Sequence, residues 1–220
     1  MNGISLGIKA LKLCLITHPL SSAWDQYCDL VLQSISGGVS AIQFRHKKAD
    51  DVMGVHAMAM SLKSLLDPLH IPLIINDDVS LAKNIDAHGI HLGQSDVHPQ
   101  EARALLGPNK IIGWSIETYE QLMYANTLNC IDYVAASAVF PSKTKTDCKT
   151  IWGLNGLKQL ARHSQHPVIA IGGINSNNVR EVMLHGAYGV AIISAIHDSH
   201  QPKHAAMELI NIINQGESSV

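Results

Sequence analysis

The sequence predicts a single (β/α)8 barrel spanning residues 1–220, with a core over residues 11–214. Three observations support this prediction. Eight short apolar segments alternate with segments of helical periodicity, the apolar segments are nearly continuous, and no Pro/Ser-rich linker or change of composition interrupts the chain. Continuous apolar strands are typical of a parallel sheet covered on both faces, and right-handed crossovers bring eight such strands to closure.

The predicted strands are short and follow one another along the whole chain. They cover residues 13–17, 39–44, 72–75, 89–92, 110–114, 133–136, 168–171 and 190–193. Apolar spacings of three and four residues predict helices near 27–35, 52–62, 98–106, 117–128, 153–163, 176–185 and 202–214, with a brief helix after residue 76. The alternative is an open doubly wound sheet, but the Gly-rich dinucleotide fingerprint is missing after the first strand.

Composition and charge exclude several classes of function. Of the 220 residues, 46% are hydrophobic and 15% are charged, and the net charge is −2. Such a chain has no general basic field for nucleic acid or for an anionic membrane. No segment approaches the roughly 20 apolar residues of a membrane helix, and the apolar run at 13–16 is too short for a signal peptide. We therefore expect a soluble cytoplasmic protein with small-molecule partners.

Cysteine and histidine patterns do not point to a metal cluster or to covalent catalysis. The cysteines at 14, 28, 130 and 148 have no metal-ligand spacing and no C-x-x-C motif, so we expect reduced thiols. His197, His200 and His204 could share a helical face, but Pro202 interrupts it. No Ser-His-Asp order or Cys-His pair offers an activated nucleophile.

The second predicted strand ends in a set of cationic and polar side chains. Gln43, Arg45 and Lys47 alternate along an extended chain and therefore point to one side, while Ile42 and Phe44 point to the other, towards helices. Active sites of barrels of this kind lie at the carboxyl ends of the strands. Because Arg forks onto phosphate oxygens and Lys acts as a mobile point charge, we predict a phosphate-directed site there.

Carboxylates follow the third and fourth predicted strands. Asp77 and Asp96 lie at neighbouring strand ends and could form a general acid/base pair or a hard-cation site. The cations nearby favour Mg²⁺, which commonly takes one or two carboxylates and shares phosphate oxygens. Asp78 is predicted to cap the next helix, and Asp86 to lie on a surface loop. His91 faces the same end and either positions a substrate or is simply packed.

The last two predicted strands end in features typical of a phosphate site. Gly172 and Gly173 allow backbone N–H groups to approach an anion, and Ser194 follows the eighth strand. Phosphates in barrels commonly bind between strands seven and eight. A glycine pair alone is also common in ordinary turns.

These strand-end residues resemble the motifs of the thiamine-phosphate synthase family. The motifs occur in the family's order over about 13–196: Gln43-Phe44-Arg45-His46-Lys47, Asn76-Asp77, Gly89-Ile90-His91-Leu92-Gly93-Gln94-Ser95-Asp96, Ile111-Ile112-Gly113-Trp114-Ser115, Pro141-Ser142-Lys143-Thr144-Lys145 and Ala170-Ile171-Gly172-Gly173-Ile174. The resemblance implies a (β/α)8 barrel enzyme, a transferase. It joins a hydroxymethylpyrimidine diphosphate to a thiazole phosphate, and gives thiamine monophosphate and diphosphate.

The resemblance also implies ligands by position. Those for the pyrimidine diphosphate are Gln43, Phe44, Arg45, His46, Lys47, Asn76, Ser115 and Lys145. Those for the thiazole phosphate are Ser142, Lys143, Thr144, Gly173, Ile193 and Ser194. Asp77 and Asp96 would hold one Mg²⁺. The residues expected to act in catalysis, by stabilising a diphosphate that leaves before the thiazole attacks, are Arg45, Lys47, Ser115 and Lys145.

The chain departs from the family pattern at several positions. The family usually has Glu at His46, Thr at Ser142 and a small hydroxyl residue at Lys143, and it often has Asp at His18. Two alternatives remain: a thiazole tautomerase-like isomerase on the same fold, or a non-catalytic phosphate-ligand sensor. The tautomerase branch tends to lose the metal carboxylate and to carry His at Glu117, so the synthase is favoured.

Overall fold

A computed structural model describes residues 6–17, 24–46, 52–142 and 150–217. Its strands are β1 (Leu13–Ile16), β2 (Ala41–Phe44), β3 (Leu73–Asn76), β4 (Gly89–Leu92), β5 (Ile111–Ile116), β6 (Tyr133–Ser137), β7 (Val168–Ile171) and β8 (Gly189–Ile192). Its helices are α1 (Leu6–Lys9), α2 (Trp24–Ser36), α3 (Val52–Leu66), α4 (Val79–Asn84), α5 (Pro99–Leu106), α6 (Tyr119–Ala125), α7 (Gly153–His163), α8 (Val179–Leu184), α9 (Ser194–His197) and α10 (Pro202–Glu217). Short 3₁₀ helices cover Ala10–Lys12 and Asp67–Leu69.

The strands form a closed parallel barrel in chain order. Each strand pairs with the next, and β8 pairs with β1 through Leu13 and Val190, which closes the sheet. The predicted (β/α)8 barrel is confirmed, and the open doubly wound sheet is excluded. Two strand boundaries differ by two residues: β2 begins at Ala41, and β5 continues to Ile116 because Ser115 and Ile116 pair with Ala135 and Ala136 of β6. Ser115 therefore lies within β5 and does not end it.

Strand alternation divides the core into two layers. Residues that point outwards, such as Ile42, Phe44 and Leu73, pack against the helices. Residues that point inwards, such as Cys14 and Ile74, fill the barrel. Most inner positions carry small or medium side chains, Tyr133 being a large one, and the lower end is closed by Ile8 and Leu11 of the first two helical segments. Burial of this apolar surface, at about 25 cal/mol per Å², is the main source of stability.

A half-buried arginine fastens the loops at the amino-terminal ends of β5 and β6. Arg103 of α5 donates through its Nη2 to Asp132 Oδ2 at 2.7 Å, and the same oxygen accepts from the backbone N–H of Ile112. The other donors of the guanidinium reach the carbonyls of Gly107, Pro108, Lys110 and Cys130. One rigid fork therefore satisfies carbonyls from two loops far apart in sequence.

Two further observations concern membrane-spanning helices and cysteines. Within the described ranges, no helix is both long and apolar enough to cross a membrane. Cys14, Cys28 and Cys130 are free thiols, and Cys148 lies outside the described residues.

We expect Arg103→Ala to lower the free energy of unfolding by about 2–3 kcal/mol, because it leaves several loop carbonyls and Asp132 without their donor. Urea denaturation at neutral pH measures this. Arg162→Ala, on the exposed face of α7, is the matched control and should stay within about 0.5 kcal/mol of the parent chain. Equal stabilities for the two variants would contradict the assigned role of Arg103.

Candidate active site

The end of β2 is held in position by a threonine that follows β1. Gln43 is buried inside the barrel, while Ile42 and Phe44 point to the helices, as predicted. The hydroxyl of Thr17 accepts from the backbone N–H of Arg45 at 2.7 Å and donates to its carbonyl at 3.1 Å. These two bonds continue the extended direction of β2 beyond the sheet, so Arg45 stands at the mouth of the barrel.

The two predicted carboxylates follow neighbouring strands. The backbone N–H of Asp77 donates to the carbonyl of His91 at 2.9 Å, so the loop after β3 begins against β4. Asp77 has φ 67°, a left-handed conformation that Asp tolerates better than most residues. The next residue, Asp78, caps α4 by accepting from the N–H of Leu81 at 2.8 Å, which confirms its predicted role.

Asp96 lies in a loop that is fastened to β5. Its Oδ2 accepts from the backbone N–H of Gly93 at 2.6 Å. Gln94 donates through Nε2 to the carbonyl of Ser115 at 2.6 Å, and the indole N–H of Trp114 donates to the carbonyl of Gly93 at 3.2 Å. Because Gly93 and Gln94 are bonded to β5 and Asp96 Oδ2 is bonded to Gly93, the Asp96 carboxylate is held in a defined orientation.

The donor set suits a hard cation that is only partly bound by protein. Within the described ranges, no group of three or more His, Cys, Asp or Glu side chains could hold a metal ion. Two carboxylates at adjacent strand ends are nevertheless the number that Mg²⁺ commonly takes when it keeps water and binds substrate phosphate oxygens. The residues therefore fit Mg²⁺ as a metal completed by substrate, and they do not form a protein-only cage.

Below the mouth, His91 is enclosed by hydrogen bonds. Its Nδ1 lies 2.9 Å from the hydroxyl of Tyr133, and its Nε2 lies 2.9 Å from the hydroxyl of Ser115. His91 is 8% exposed and stacks on the ring of Tyr133. The structure thus supports the packed interpretation of His91, with the addition that it supports Ser115 from below.

Burial keeps the other ionisable groups of the barrel interior neutral. It raises the pKa of the Tyr133 hydroxyl well above its usual value, and it raises the pKa of the Cys14 thiol to about 12. Neither group is ionised near neutral pH, so neither is an activated nucleophile.

Predicted phosphate ligands line one pocket between β7 and β8. Gly173, Ser142, Ile193 and Ser194 all contribute to its wall. Gly173 adopts φ 64°, and a Cβ there would lie 2.7 Å from the carbonyl oxygen of Pro141. The glycine therefore has two functions: it permits a left-handed conformation, and it lets the loop after β6 approach closely enough to present Ser142.

Four predicted site residues lie outside the part of the chain that the structure describes. Lys47, Lys143, Thr144 and Lys145 lie outside the described residues, so their roles stay predictions. The side chain of Phe44 is buried in the outer layer, so only its backbone can contribute to a ligand site. The ring of half-buried His46 stacks against Phe44, with 6.4 Å between the ring centroids.

Sequence reasoning misses three residues that organise the mouth. It includes Thr17 only as the end of a strand, Tyr133 only as the start of one, and Gln94 only as part of a motif. A hydroxyl that directly follows an apolar strand of a barrel could have drawn attention to Thr17, because such a position faces the mouth. Nothing local distinguishes Tyr133, which begins its strand as an aromatic residue commonly does.

A closed barrel with hydroxyl, amide and carboxylate groups at its carboxyl end, and a glycine-lined pocket between β7 and β8, defines the class of (β/α)8-barrel enzymes. The family model described as thiamine monophosphate synthase matches residues 13–196. A thiamine-phosphate synthase of Chlamydia caviae is 43% identical over 205 residues, covering 93% of this chain and 96% of the relative. One of Albidiferax ferrireducens is 41% identical over 207 residues, covering 94% of each.

A solved structure gives the same result. The thiamine phosphate pyrophosphorylase of Pyrococcus furiosus superposes with a TM-score of 0.83 at 32% identity, covering 95% of this chain and 98% of that one. The chain belongs to the thiamine monophosphate synthase family and is an enzyme, a transferase. The expectation from the motifs is confirmed, and the comparisons support neither a tautomerase-like isomerase nor a non-catalytic sensor.

We expect Gly173→Ala to lower the free energy of unfolding by about 2–4 kcal/mol, because it adds left-handed strain and a clash with a backbone carbonyl. Gly153→Ala is the matched control, since Gly153 has φ 58° but a Cβ added there would meet no atom within 4 Å. The control should lose only the strain, about 1 kcal/mol. Thermal or urea unfolding compares them, and equal losses would show that the close approach to Pro141 contributes nothing.

Proposed function

We propose that this enzyme transfers the hydroxymethylpyrimidine group from its diphosphate to the ring nitrogen of a thiazole phosphate in the presence of Mg²⁺. The products are thiamine monophosphate and diphosphate. The observation that carries the proposal is the shared mouth: the β2 end with Gln43 and Arg45, the carboxylate loops with Asp77 and Asp96, and the glycine pocket all open at the carboxyl end of one barrel.

In the proposed reaction, the C–O bond to the diphosphate breaks first, and the leaving diphosphate keeps the electron pair. The thiazole nitrogen lone pair then forms the new C–N bond with the pyrimidine-methyl cation. No protein nucleophile is required, in agreement with the neutral thiol of Cys14. What the enzyme supplies is stabilisation of the negative charge that grows on the departing oxygen.

Several groups at the mouth suit that task. Arg45 stands at the end of β2 and can pair with two phosphate oxygens at once, and Lys47 and Lys145 are predicted to add positive charge. Asp77 and Asp96 would hold a Mg²⁺ ion, which supplies further positive charge at phosphate oxygens when bound. Each 1.4 kcal/mol or so of stabilisation that is specific to the transition state raises the rate about tenfold.

The glycine pocket suits the second substrate. Ser142 and Ser194 offer hydroxyl donors, and the backbone around Gly173 can approach a phosphate closely because it carries no side chain. The pocket lies between β7 and β8, so a phosphate bound there would anchor a ring at the barrel mouth. Anchoring the thiazole in this way replaces a bimolecular encounter by an oriented attack.

The activity test mixes purified enzyme with both substrates, with and without Mg²⁺, and follows thiamine monophosphate and diphosphate together. We expect both products in equal amounts with Mg²⁺, and a loss of at least about a hundredfold in rate after chelation, which corresponds to about 2.7 kcal/mol. Formation at the same rate without metal would overturn the Mg²⁺ assignment. Absence of both products under all conditions would overturn the proposed function.

If Asp77 holds the metal, removal of its negative charge should strongly lower turnover. Asp77→Asn should lower turnover by at least about a hundredfold with little change in unfolding, because an amide oxygen is a much weaker ligand for Mg²⁺ and the side chain is exposed. The matched control is Asp78→Asn, one residue further along, where Asn caps a helix as well as Asp does. It should keep turnover within about threefold.

Comparison of the two variants distinguishes coordination of the metal by Asp77 from a general effect of negative charge in the loop. Similar losses for Asp77→Asn and Asp78→Asn would mean that the negative potential of the loop matters and not coordination by Asp77. Full activity of Asp77→Asn would remove Asp77 from the metal site.

A further inference from the structure

A chain of buried polar side chains crosses the barrel interior from β2 to β5. Gln43 of β2 lines the same small cavity as Tyr133, beside the Tyr133 hydroxyl. That hydroxyl lies 2.9 Å from His91 Nδ1, and His91 Nε2 lies 2.9 Å from the hydroxyl of Ser115. The chain thus joins Gln43 and Ser115, which are both predicted ligands of the pyrimidine diphosphate, through two residues beneath the mouth.

The neighbouring strand β5 leaves space for the ring of Tyr133. Tyr133 is 3% exposed, and a Cβ at Gly113 of β5 would lie 2.0 Å from its Cζ. The ring of His91 stacks on it with 5.6 Å between the centroids. A glycine on β5 therefore makes room for a large aromatic ring whose only polar atom is directed at His91.

In a chain of hydrogen bonds, the choice of donor and acceptor in one bond determines the donor and acceptor in the next. The hydroxyl of Tyr133 is buried, and the hydrogen bond it makes is to His91 Nδ1, so donation to that nitrogen leaves no buried donor unpaired. The buried phenol keeps its own proton, which it can then give to His91 Nδ1. A histidine that accepts at Nδ1 carries its proton on Nε2 and donates to Ser115. The hydroxyl proton of Ser115 is then directed into the mouth.

We propose that Tyr133 is a positioning residue that fixes Ser115 as a hydrogen-bond donor to the mouth, acting through the tautomer of His91. The proposal rests on the proposed function, in which Ser115 binds the diphosphate. Phosphate oxygens only accept hydrogen bonds, so a serine that donated back to His91 would present lone pairs to an anion. Because negative charge grows on the diphosphate as it leaves, a fixed donor acts more strongly in the transition state than in the ground state.

The kinetic test uses Tyr133→Phe, which keeps the ring and removes the hydroxyl. We expect kcat to fall about tenfold or more, while KM for the pyrimidine diphosphate changes less than about threefold. In a Ser115→Ala background the same change should cost at most about twofold, because its effect passes through Ser115. Tyr119→Phe, at a partly exposed ring on α6, is the matched control and should leave both constants unchanged.

Two kinetic outcomes would overturn the proposal. One is unchanged kcat in Tyr133→Phe. The other is an equal loss with and without Ser115, which would mean that Tyr133 acts by general packing or by another route.

The tautomer provides a test that needs no activity. Nitrogen-15 spectra of the histidine-labelled chain, with the His91 signals assigned by their loss in His91→Asn, should show the proton on Nε2 in the parent chain. Tyr133→Phe should shift His91 towards a mixture of tautomers. A proton on Nδ1 in the parent chain would reverse the polarity and overturn the proposal. This readout is independent of turnover. If the enzyme made no thiamine monophosphate, the proposed function would be wrong, but the His91 tautomer could still be measured.

Discussion

Pairing of Leu13 with Val190 joins the last strand to the first, and this closure leaves the sheet without an edge. Every strand residue then points either into a narrow interior or out towards the helices, with no third option. Ile42 and Gln43 show the consequence, because adjacent residues of β2 lie in different layers. The interior is too small for bulk water, so any polar side chain placed there has to find its partners among the other strands.

The same constraint makes the mouth rigid. Inside the barrel, leaving a buried donor or acceptor unpaired costs about 1–3 kcal/mol, so a network in which every bond is made resists rearrangement. Above the interior, Thr17 fastens the backbone of Arg45, and Gln94 and Trp114 fasten the loop of Asp96 to β5. Each of these bonds joins two different strand ends. The geometry of the mouth is therefore determined by the closed sheet beneath it, and local loop preferences contribute less.

The features that could be predicted from the sequence are those set by local spacing. Periodicity located the eight strands to within a few residues, alternation placed Gln43 inside the barrel, and capping chemistry identified Asp78. The missed features depend on contacts between distant positions. Thr17 and Arg45 are 28 residues apart, and His91 and Tyr133 are 42 apart. Neither pairing can be read from local sequence, because a strand-end hydroxyl and a strand-starting tyrosine are equally compatible with packing alone.

The extension of β5 has the same origin. Ser115 and Ile116 continue the strand because β6 offers them partners at Ala135 and Ala136, which no property of β5 itself reveals. The glycine pair was predicted to admit an anion, but Gly173 is also required where the loop after β6 crosses it. The nature of the substrates could not be derived from spacing either. It came from the resemblance of the ordered motifs to a family; the match over residues 13–196 confirms the family, and the substrates stay a proposal.

The two phosphate-binding regions of the proposed site differ in their electrostatics, and the reaction gives a reason. Among its described residues, the pocket between β7 and β8 is lined by backbone and hydroxyl donors, with Asp198 at its rim and no Lys or Arg. A thiazole phosphate keeps the same charge throughout the reaction, so a cation there, such as the predicted ligand Lys143, would stabilise ground state and transition state alike and would strengthen binding without raising kcat. Charge develops only on the departing diphosphate. Positive groups increase the rate when they lie on that side, where Arg45 follows β2 and the carboxylates of Asp77 and Asp96 are proposed to hold a divalent ion.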